Sequence, residues 1–237
     1  MNKIYLFLAD GFETVEALAP ADVMRRAGLD VTTVSIMGRP IVMSAHGIGV
    51  EADALFEDID FSNADALVLP GGSQGTENLS AHAPLRSLIE KVNGEGKIIA
   101  AICAAPMVFG RMGLLDGRRA TCYPGCEGDL KGARYTATAV EQDNNIITAC
   151  GPAASFEFGF AIVENFCGAD KVAIIREQCD STTYEKVSYN SSRRKRCPHG
   201  WRPSQTVPVA RRKAVGNGNH REYVCNGCHH AHHPGTS

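Results

Sequence analysis

The sequence predicts an α/β protein with a mostly parallel sheet, helices on both faces of that sheet, and a basic carboxyl-terminal tail. Strand and helix patterns alternate from residue 3 to about residue 177, which implies parallel strands joined by right-handed crossovers. The strand segments are short and largely apolar, as expected where helices cover both sides of a sheet. Beyond about residue 191 this periodicity is lost.

The first strand and helix follow directly from the amino terminus. An apolar run over residues 3–9 stops at Asp10 and predicts a buried strand. Residues 14–27 have helical spacing, and Gly28 is placed to end that helix. Pro20 is expected to kink the helix or to mark a restart, because proline lacks the N–H that a helix uses. The predicted apolar face consists of Val15, Leu18, Ala19, Val23 and Met24.

The remaining elements repeat this alternation. Residues 40–51 predict a small hairpin around His46 and Gly47, outside the parallel core. A helix is also expected directly after residue 103, where small residues follow a strand. The other predicted strands cover residues 30–36, 64–72, 97–103 and 144–150, and the other predicted helices cover residues 84–92 and 156–166.

The net charge of −2 conceals two regions of opposite sign. Residues 1–190 carry −10, whereas residues 191–237 carry +8 and contain six of the eight histidines. The second region is rich in Pro and Gly and poor in aliphatic residues, which predicts disorder. We therefore expect an α/β domain over residues 1–177 and an atypical tail over residues 178–237.

The tail contains two further patterns that carry chemistry in other proteins. Cys225, Cys228 and His229 match the spacing of covalent haem attachment, and with the neighbouring histidines they could hold zinc. The basic residues could contact nucleic acid electrostatically. A solvated tail with adventitious metal binding is the favoured interpretation, so neither a metal site nor a nucleic-acid partner is expected.

Length and composition bound the class of protein. A chain of 237 residues suits one domain with a large core. No apolar run reaches the length of a membrane span, and the amino-terminal run is too short for a secretory signal, which favours a cytoplasmic protein without a membrane partner. The odd number of cysteines, nine, then favours thiols that are mostly reduced.

Cys103 ends an apolar strand and precedes a helix that begins at Ala104, Ala105 and Pro106. A sharp strand-to-helix turn exposes its side chain at the carboxyl edge of a parallel sheet, where open α/β folds bind ligands. The helix amino terminus is expected to lower the pKa of the thiol. The alternative is one more buried thiol at a strand end, and spacing alone does not decide between them.

Three loops are expected near Cys103 at the same edge. The loop after the first strand brings Glu13 and Glu16, and a second loop brings Gly71 and Gly72, whose N–H groups can stabilise an oxyanion. The third follows residue 150. A carboxyl group with a raised pKa can act as general acid or base beside a thiol. A solvated acid at a helix start is the alternative role, and it suits Glu13 better than Glu16.

Four segments occur in family order over residues 2–176: ADGFETVEALAPADVMRRAGLDVTT, DALVLPGGSQGTENLS, IIAAICAAP and GPAASFEFGFAIVE. Together they resemble the ThiJ/PfpI superfamily, and within it the branch of bacterial ThiJ-type proteins and the Parkinsonism-associated protein deglycase. The resemblance implies a flavodoxin-like α/β sandwich of the class I glutamine amidotransferase-like type, usually assembled as a homodimer.

The resemblance also implies a site and a set of activities. Cys103 would be the nucleophile and the oxidation-sensitive thiol, with Glu16 hydrogen-bonded to it. Gly71, Gly72 and Ala104 would line the pocket through their backbones. The implied activities are glyoxalase-type conversion of α-oxoaldehydes, deglycation of glycated adducts, and oxidative-stress sensing or chaperone function, with no cofactor.

The chain departs from the family pattern at two places. Tyr123 stands where many relatives carry a histidine, and a tyrosine with a pKa of about 10 is a poor base at neutral pH. A Cys-His dyad and a protease are therefore not expected, and proton transfer falls to Glu16. Tyr123, Gly151 and Pro152 remain possible pocket residues. After about Glu177 the family pattern gives way to the basic tail, which a frameshift, a fusion scar or a natural extension would each explain.

Three hypotheses of function follow. In the first, a Cys103 thiolate adds to the carbonyl of an α-oxoaldehyde or a glycated adduct while Glu16 moves the proton. In the second, Cys103 is a redox sensor whose oxidised sulfur is held by Glu16 and changes partner binding without turnover. In the third, the tail binds metal or nucleic acid.

Overall fold

The computed structural model describes residues 2–179, and a seven-stranded sheet forms its centre. The strands are β1 (Lys3–Leu8), β2 (Asp30–Ser35), β5 (Ala54–Leu55), β6 (Ala66–Leu69), β7 (Ile98–Ile102), β10 (Val140–Asp143) and β11 (Ile146–Ala149). Their order is β10-β11-β7-β6-β1-β2-β5, and every pair is parallel except β10 with β11. The predicted mostly parallel sheet is confirmed, with an antiparallel edge strand that the sequence did not suggest.

Within the described part of the chain, five α-helices cover the sheet: α1 (Thr14–Arg26), α2 (Ser73–Ala81), α3 (Ala83–Gly94), α4 (Pro106–Arg111) and α5 (Ser155–Cys179). Helices α1 and α5 bury one face, and α2, α3 and α4 bury the other. Successive residues of a strand point to opposite faces, so Leu6 packs beneath α1 and α5 while Phe7 packs on the other side. Each such side chain stabilises the fold by about 1.5–3 kcal/mol when fully buried.

Helix α1 differs from its prediction in two respects. It runs through Pro20 as one helix, so the restart is wrong; Pro20 is buried, and its Cα lies so close to Gly159 that a Cβ there would be 3.0 Å away. The predicted apolar face is also wrong in part, because Val15 is 47% exposed and Leu18 is 39% exposed. The face that packs on the core instead carries Glu16, Ala17, Pro20, Ala21, Val23 and Met24.

Outside the main sheet, the hairpin is confirmed and two details are new. Strands β3 (Ile41–Met43) and β4 (Gly49–Glu51) pair antiparallel, as predicted around His46 and Gly47. A short pair, β8 (Arg119–Ala120) with β9 (Arg134–Tyr135), was not expected. His82, predicted at the surface, is half-buried: its ring packs on Phe56, and its Nδ1 accepts the Leu85 N–H at 3.2 Å and caps α3.

The compact α/β unit ends at Cys179, two residues past Glu177. Helix α5 is interrupted by Gly168, whose φ is 78°, and its second part buries Val172 and Ile175. The expectations for the tail, including the Cys225–His229 motif, lie outside the described residues. Within residues 2–179, no helix is long and apolar enough to cross a membrane.

Candidate active site

Cys103 lies immediately after β7, in a strained turn at the carboxyl edge of the sheet. Its φ is +64°, a conformation that costs a non-glycine residue on the order of 1–3 kcal/mol. Two hydrogen bonds hold the turn: the Cys103 N–H donates to the Ala149 carbonyl at 2.9 Å, and the Tyr123 N–H donates to the Cys103 carbonyl at 2.8 Å. The left-handed turn brings the half-buried side chain of Cys103 against the core beneath α1 and α5.

Glu16 approaches Cys103 from α1 and is fully buried. One carboxyl oxygen, Oε2, accepts the Gly71 N–H at 3.0 Å, and the carboxyl group also interacts with the Cys103 thiol. Only glycine fits at position 71, because a Cβ there would lie 2.6 Å from both the Cys103 Cβ and the Glu16 Oε2. The close approach of these three residues thus depends on the absence of a side chain at Gly71.

Burial controls the protonation of Glu16. It raises the pKa of this carboxyl group from 4.5 to about 7, while the hydrogen bonds with the Cys103 thiol and the Gly71 N–H act in the opposite direction. Glu16 can therefore exchange a proton near neutral pH. Glu13, at the start of the same helix, is less buried and pairs with His46 at 3.0 Å. The interpretation of Glu13 as a helix-start acid fits this position.

The pKa of Cys103 moves in the direction opposite to the prediction. Burial, the negative charge of Glu16 and the hydrogen bond with Glu16 raise it to about 12, and the N–H groups of Gly72 and Ala104 oppose this increase. The expected lowering by the helix amino terminus is thus outweighed, because desolvation disfavours the thiolate. Protonation of Glu16 removes the repulsion between carboxylate and sulfur, so the two groups titrate as a coupled pair.

The N–H groups of Gly71 and Gly72, which the sequence predicted would both be available to an oxyanion, have different acceptors in the structure. The Gly71 N–H is committed to Glu16, whereas the N–H groups of Gly72 and Ala104 face the Cys103 sulfur. Gly72 has a φ of +90°, and a Cβ there would lie 2.2 Å from the Gly11 carbonyl oxygen. A glycine is therefore needed at position 72 to present its N–H to the sulfur.

The three possible pocket residues, Tyr123, Gly151 and Pro152, lie on two segments next to the Cys103 turn. The Tyr123 side chain is 49% exposed, and its ring lies against Gly151, where a Cβ would come within 3.1 Å of the ring. Pro152 is exposed and begins the turn that leads into α5. Tyr123 is joined to the Cys103 turn through its backbone N–H, which donates to the Cys103 carbonyl.

Sequence reasoning missed Cys150 as a neighbour of Cys103. Cys150 follows β11 just as Cys103 follows β7, and both cysteines are half-buried against the same core. The signal was present, since both predicted strands end in cysteine, but the pairing of these two strands was not known. Within residues 2–179, three buried side-chain oxygens have no hydrogen-bond partner: Thr14 Oγ1, Glu16 Oε1 and Thr76 Oγ1.

A strained cysteine at the carboxyl edge of a parallel sheet, with a buried glutamate beside it, defines a class of cysteine-centred α/β proteins. The sequence model of the DJ-1/PfpI family matches residues 2–165, and the chain belongs to this family. The resemblance inferred from sequence is thereby confirmed, as is the fold that it implied.

Individual relatives agree with this assignment. The chain is 40% identical to Protein DJ-1 homolog B of Arabidopsis thaliana over 172 residues, covering 72% of this chain but only 39% of that protein. It is 34% identical to the Parkinson disease protein 7 homolog of Danio rerio over 74% of this chain and 95% of the relative. It is 32% identical to Deglycase PYRAB04690 of Pyrococcus abyssi over 63% and 90% of the two chains.

The solved structures give the same fold. Oxidized DJ-1 of Toxoplasma gondii superimposes with a TM-score of 0.73 at 30% identity, covering 76% of this chain and 98% of that one. The chain spans less than half the length of the two Arabidopsis relatives, and 95% of the length of the Danio rerio relative.

Proposed function

We propose that this protein is a cysteine-dependent glyoxalase or deglycase that acts on α-oxoaldehydes or glycated adducts. The observation that carries the proposal is a fully buried glutamate with a pKa of about 7 in contact with the thiol of a strained cysteine. Such a carboxyl group can take up and return a proton at neutral pH. A relative named deglycase supports the choice of substrate class.

The proposed first step is addition of Cys103 to the carbonyl group. Glu16 takes the thiol proton, the sulfur forms a bond to the carbonyl carbon, and the carbonyl π electrons move to oxygen. Glu16 then returns the proton to that oxygen, which gives a neutral hemithioacetal. The N–H groups of Gly72 and Ala104 lie beside the sulfur and would stabilise the negative charge as it develops.

The test is methylglyoxal consumption by the reduced full-length protein, compared with Cys103→Ser and Glu16→Gln. Both variants should lose turnover, because one lacks the nucleophile and the other lacks the proton carrier. Asp22→Asn is the matched control, since Asp22 lies on the same helix but is exposed and paired with Arg26 at 2.6 Å. Turnover retained by Cys103→Ser, or absent from the wild type with both methylglyoxal and glycated amines, would rule the proposal out.

A redox sensor is the second candidate function. It is favoured by the partial exposure of the Cys103 thiol and by the neighbouring carboxyl group, which in its protonated form can donate to an oxidised sulfur. Peroxide should modify Cys103 before the other described thiols, without any carbonyl substrate. Oxidation that persists unchanged in Cys103→Ser would contradict this function.

We further propose that the protein forms a homodimer through α1 and the β3–β4 hairpin. The hairpin is attached to the start of α1 by the His46–Glu13 contact and by the Ala45 N–H, which donates to the Phe12 carbonyl at 2.8 Å. Large apolar side chains are exposed on these elements: Val15, Leu18, Ile41, Met43 and Ile48. Sedimentation should give a dimer for the wild type and a monomer for Leu18→Asp; a monomeric wild type would contradict the proposal.

Cytoplasmic residence stays a prediction.

A further inference from the structure

Cys103 and Cys150 occupy equivalent places at the ends of two neighbouring strands. Strands β7 and β11 are parallel, with Ile102 opposite Ala149, so the next residue on each strand is a cysteine. The Cys103 N–H donates to the Ala149 carbonyl at 2.9 Å, which continues the pairing to the last residue before Cys150. Neighbouring strands lie about 4.7–4.9 Å apart, and disulfides join Cα atoms separated by about 4.4–6.8 Å.

The two thiols also lie on the same side of the sheet. Both pack against the core beneath α1 and α5, and both are partly accessible. Cys122 and Cys126 belong to the opposite core, beneath α3 and α4. Cys167 and Cys179 share the first core but lie on α5, the first twelve residues past its start and the second at its last residue. By this placement, Cys150 is the described thiol best situated to meet an oxidised Cys103.

We propose that Cys150 is the resolving thiol of Cys103, so that peroxide converts the site reversibly into an intramolecular disulfide. In the first step the Cys103 sulfur attacks a peroxide oxygen, the O–O bond breaks, and a sulfenic acid and water form. In the second step the Cys150 sulfur attacks the Cys103 sulfur, the S–O bond breaks, and the hydroxide leaves as water with the proton of Cys150. Two thiols are oxidised and one peroxide is reduced to two waters.

The Glu16 carboxyl group favours this sequence of steps. The Glu16 carboxyl group already contacts the Cys103 thiol, so when protonated it can pass its proton to the departing hydroxide and be reprotonated by the proton that Cys150 releases. Disulfide formation then competes with further oxidation to the sulfinate, which thiols do not reverse. The disulfide would block the nucleophile until a reductant restores it. This inference depends on the reactivity of Cys103 with peroxide and is independent of any carbonyl substrate.

The test treats the reduced full-length protein with two equivalents of hydrogen peroxide, the amount that a sulfinate on one thiol requires, blocks free thiols, and maps peptides without reduction. The expected result is a cross-linked peptide pair containing Cys103 and Cys150, with an intact mass lower by two hydrogens and restored by dithiothreitol. Cys150→Ser should lose the cross-link and instead gain two oxygens on Cys103, which dithiothreitol does not remove.

Two control variants make the outcome specific. Cys126→Ser and Cys167→Ser, each a thiol of the described chain outside the pair, should retain the Cys103–Cys150 cross-link. A cross-link from Cys103 to Cys197, Cys225 or Cys228 instead, or equal formation of the sulfinate in the wild type and in Cys150→Ser, would overturn the proposal. A cross-link in a protein that does not consume methylglyoxal would support this inference while removing the proposed glyoxalase activity.

Discussion

Two thiols near the carboxyl edge of the sheet, Cys103 and Cys122, have the same raised pKa of about 12 in different surroundings. Burial is the first cause of the increase in both. Cys122 is fully buried in the core beneath α3 and α4, next to Cys126 and Glu127. Cys103 is partly exposed, strained, and in contact with the carboxyl group of Glu16, whose pKa is about 7. Burial disfavours loss of the thiol proton in both cysteines. Only a thiol with an adjacent group that can accept this proton is expected to react.

The largest expected effect distinguishes the two thiols directly. Iodoacetamide should label Cys103 in the native protein and leave Cys122 unlabelled, because only Cys103 combines access with a proton acceptor. Peptide mapping after brief labelling measures this. Cys103→Ser should lose the label, and Cys122→Ser should keep it. Equal labelling of both cysteines in the native wild type would show that the difference in surroundings has no chemical consequence.

The pH dependence of stability tests whether Glu16, the carboxyl group beside Cys103, titrates in the folded protein. Among the interactions that raise the pKa of Cys122 in the described part of the chain, none is a hydrogen bond with a carboxyl group. The folded-state pKa of Glu16, about 7, lies above its ordinary value of 4.5, so the folded protein holds this proton more tightly than the unfolded chain. The resulting stabilisation is fully present below pH 4.5 and is lost as the pH rises through 7. It amounts to about 3 kcal/mol at most.

Urea unfolding of the wild type and of Glu16→Gln across this range measures the effect. The free energy of unfolding of the wild type should fall relative to that of Glu16→Gln as the pH increases. Asp22→Asn, a change of an exposed carboxylate on the same helix, should follow the wild type. Parallel curves for wild type and Glu16→Gln would show that Glu16 does not titrate in this window.

A smaller effect on stability is expected from Gly71→Ala. This substitution changes the packing around Cys103 and Glu16 without changing any charge, so it tests the geometry that Cys122 does not have. The added methyl group would press on the Cys103 Cβ and the Glu16 carboxyl, lowering the free energy of unfolding by about 1–3 kcal/mol. Iodoacetamide labelling of Cys103 should slow as well, while Cys122 stays unlabelled. Gly94→Ala is the control, because a Cβ at that position meets nothing within 4 Å. Equal stability and labelling of the two variants would contradict the close packing at Gly71.

Much of the fold was predictable because it depends on local patterns. The apolar runs before Asp10 and before Cys103 identified β1 and β7, and the turn around His46 identified the hairpin. Helix α2 was missed because its sequence, SQGTENLSA, has few apolar residues to show helical periodicity. The wrong apolar face of α1 has a related cause: Glu16 occupies a core position that a hydrophobicity pattern assigns to an apolar residue.

The sequence therefore located Cys103 at the end of its strand, but it did not predict the surroundings that set the pKa of this thiol. The run KIIAAICAAP determined that a cysteine ends a buried strand at a turn, and the motif order determined the family. Only the tertiary structure decided that the Gly71 N–H donates to Glu16, whereas the N–H groups of Gly72 and Ala104 face the Cys103 sulfur. It also decided that Cys150 lies on the strand next to that of Cys103. The reason is physical: strand propensity is local, whereas desolvation and hydrogen bonding depend on residues far apart in the chain that folding brings together.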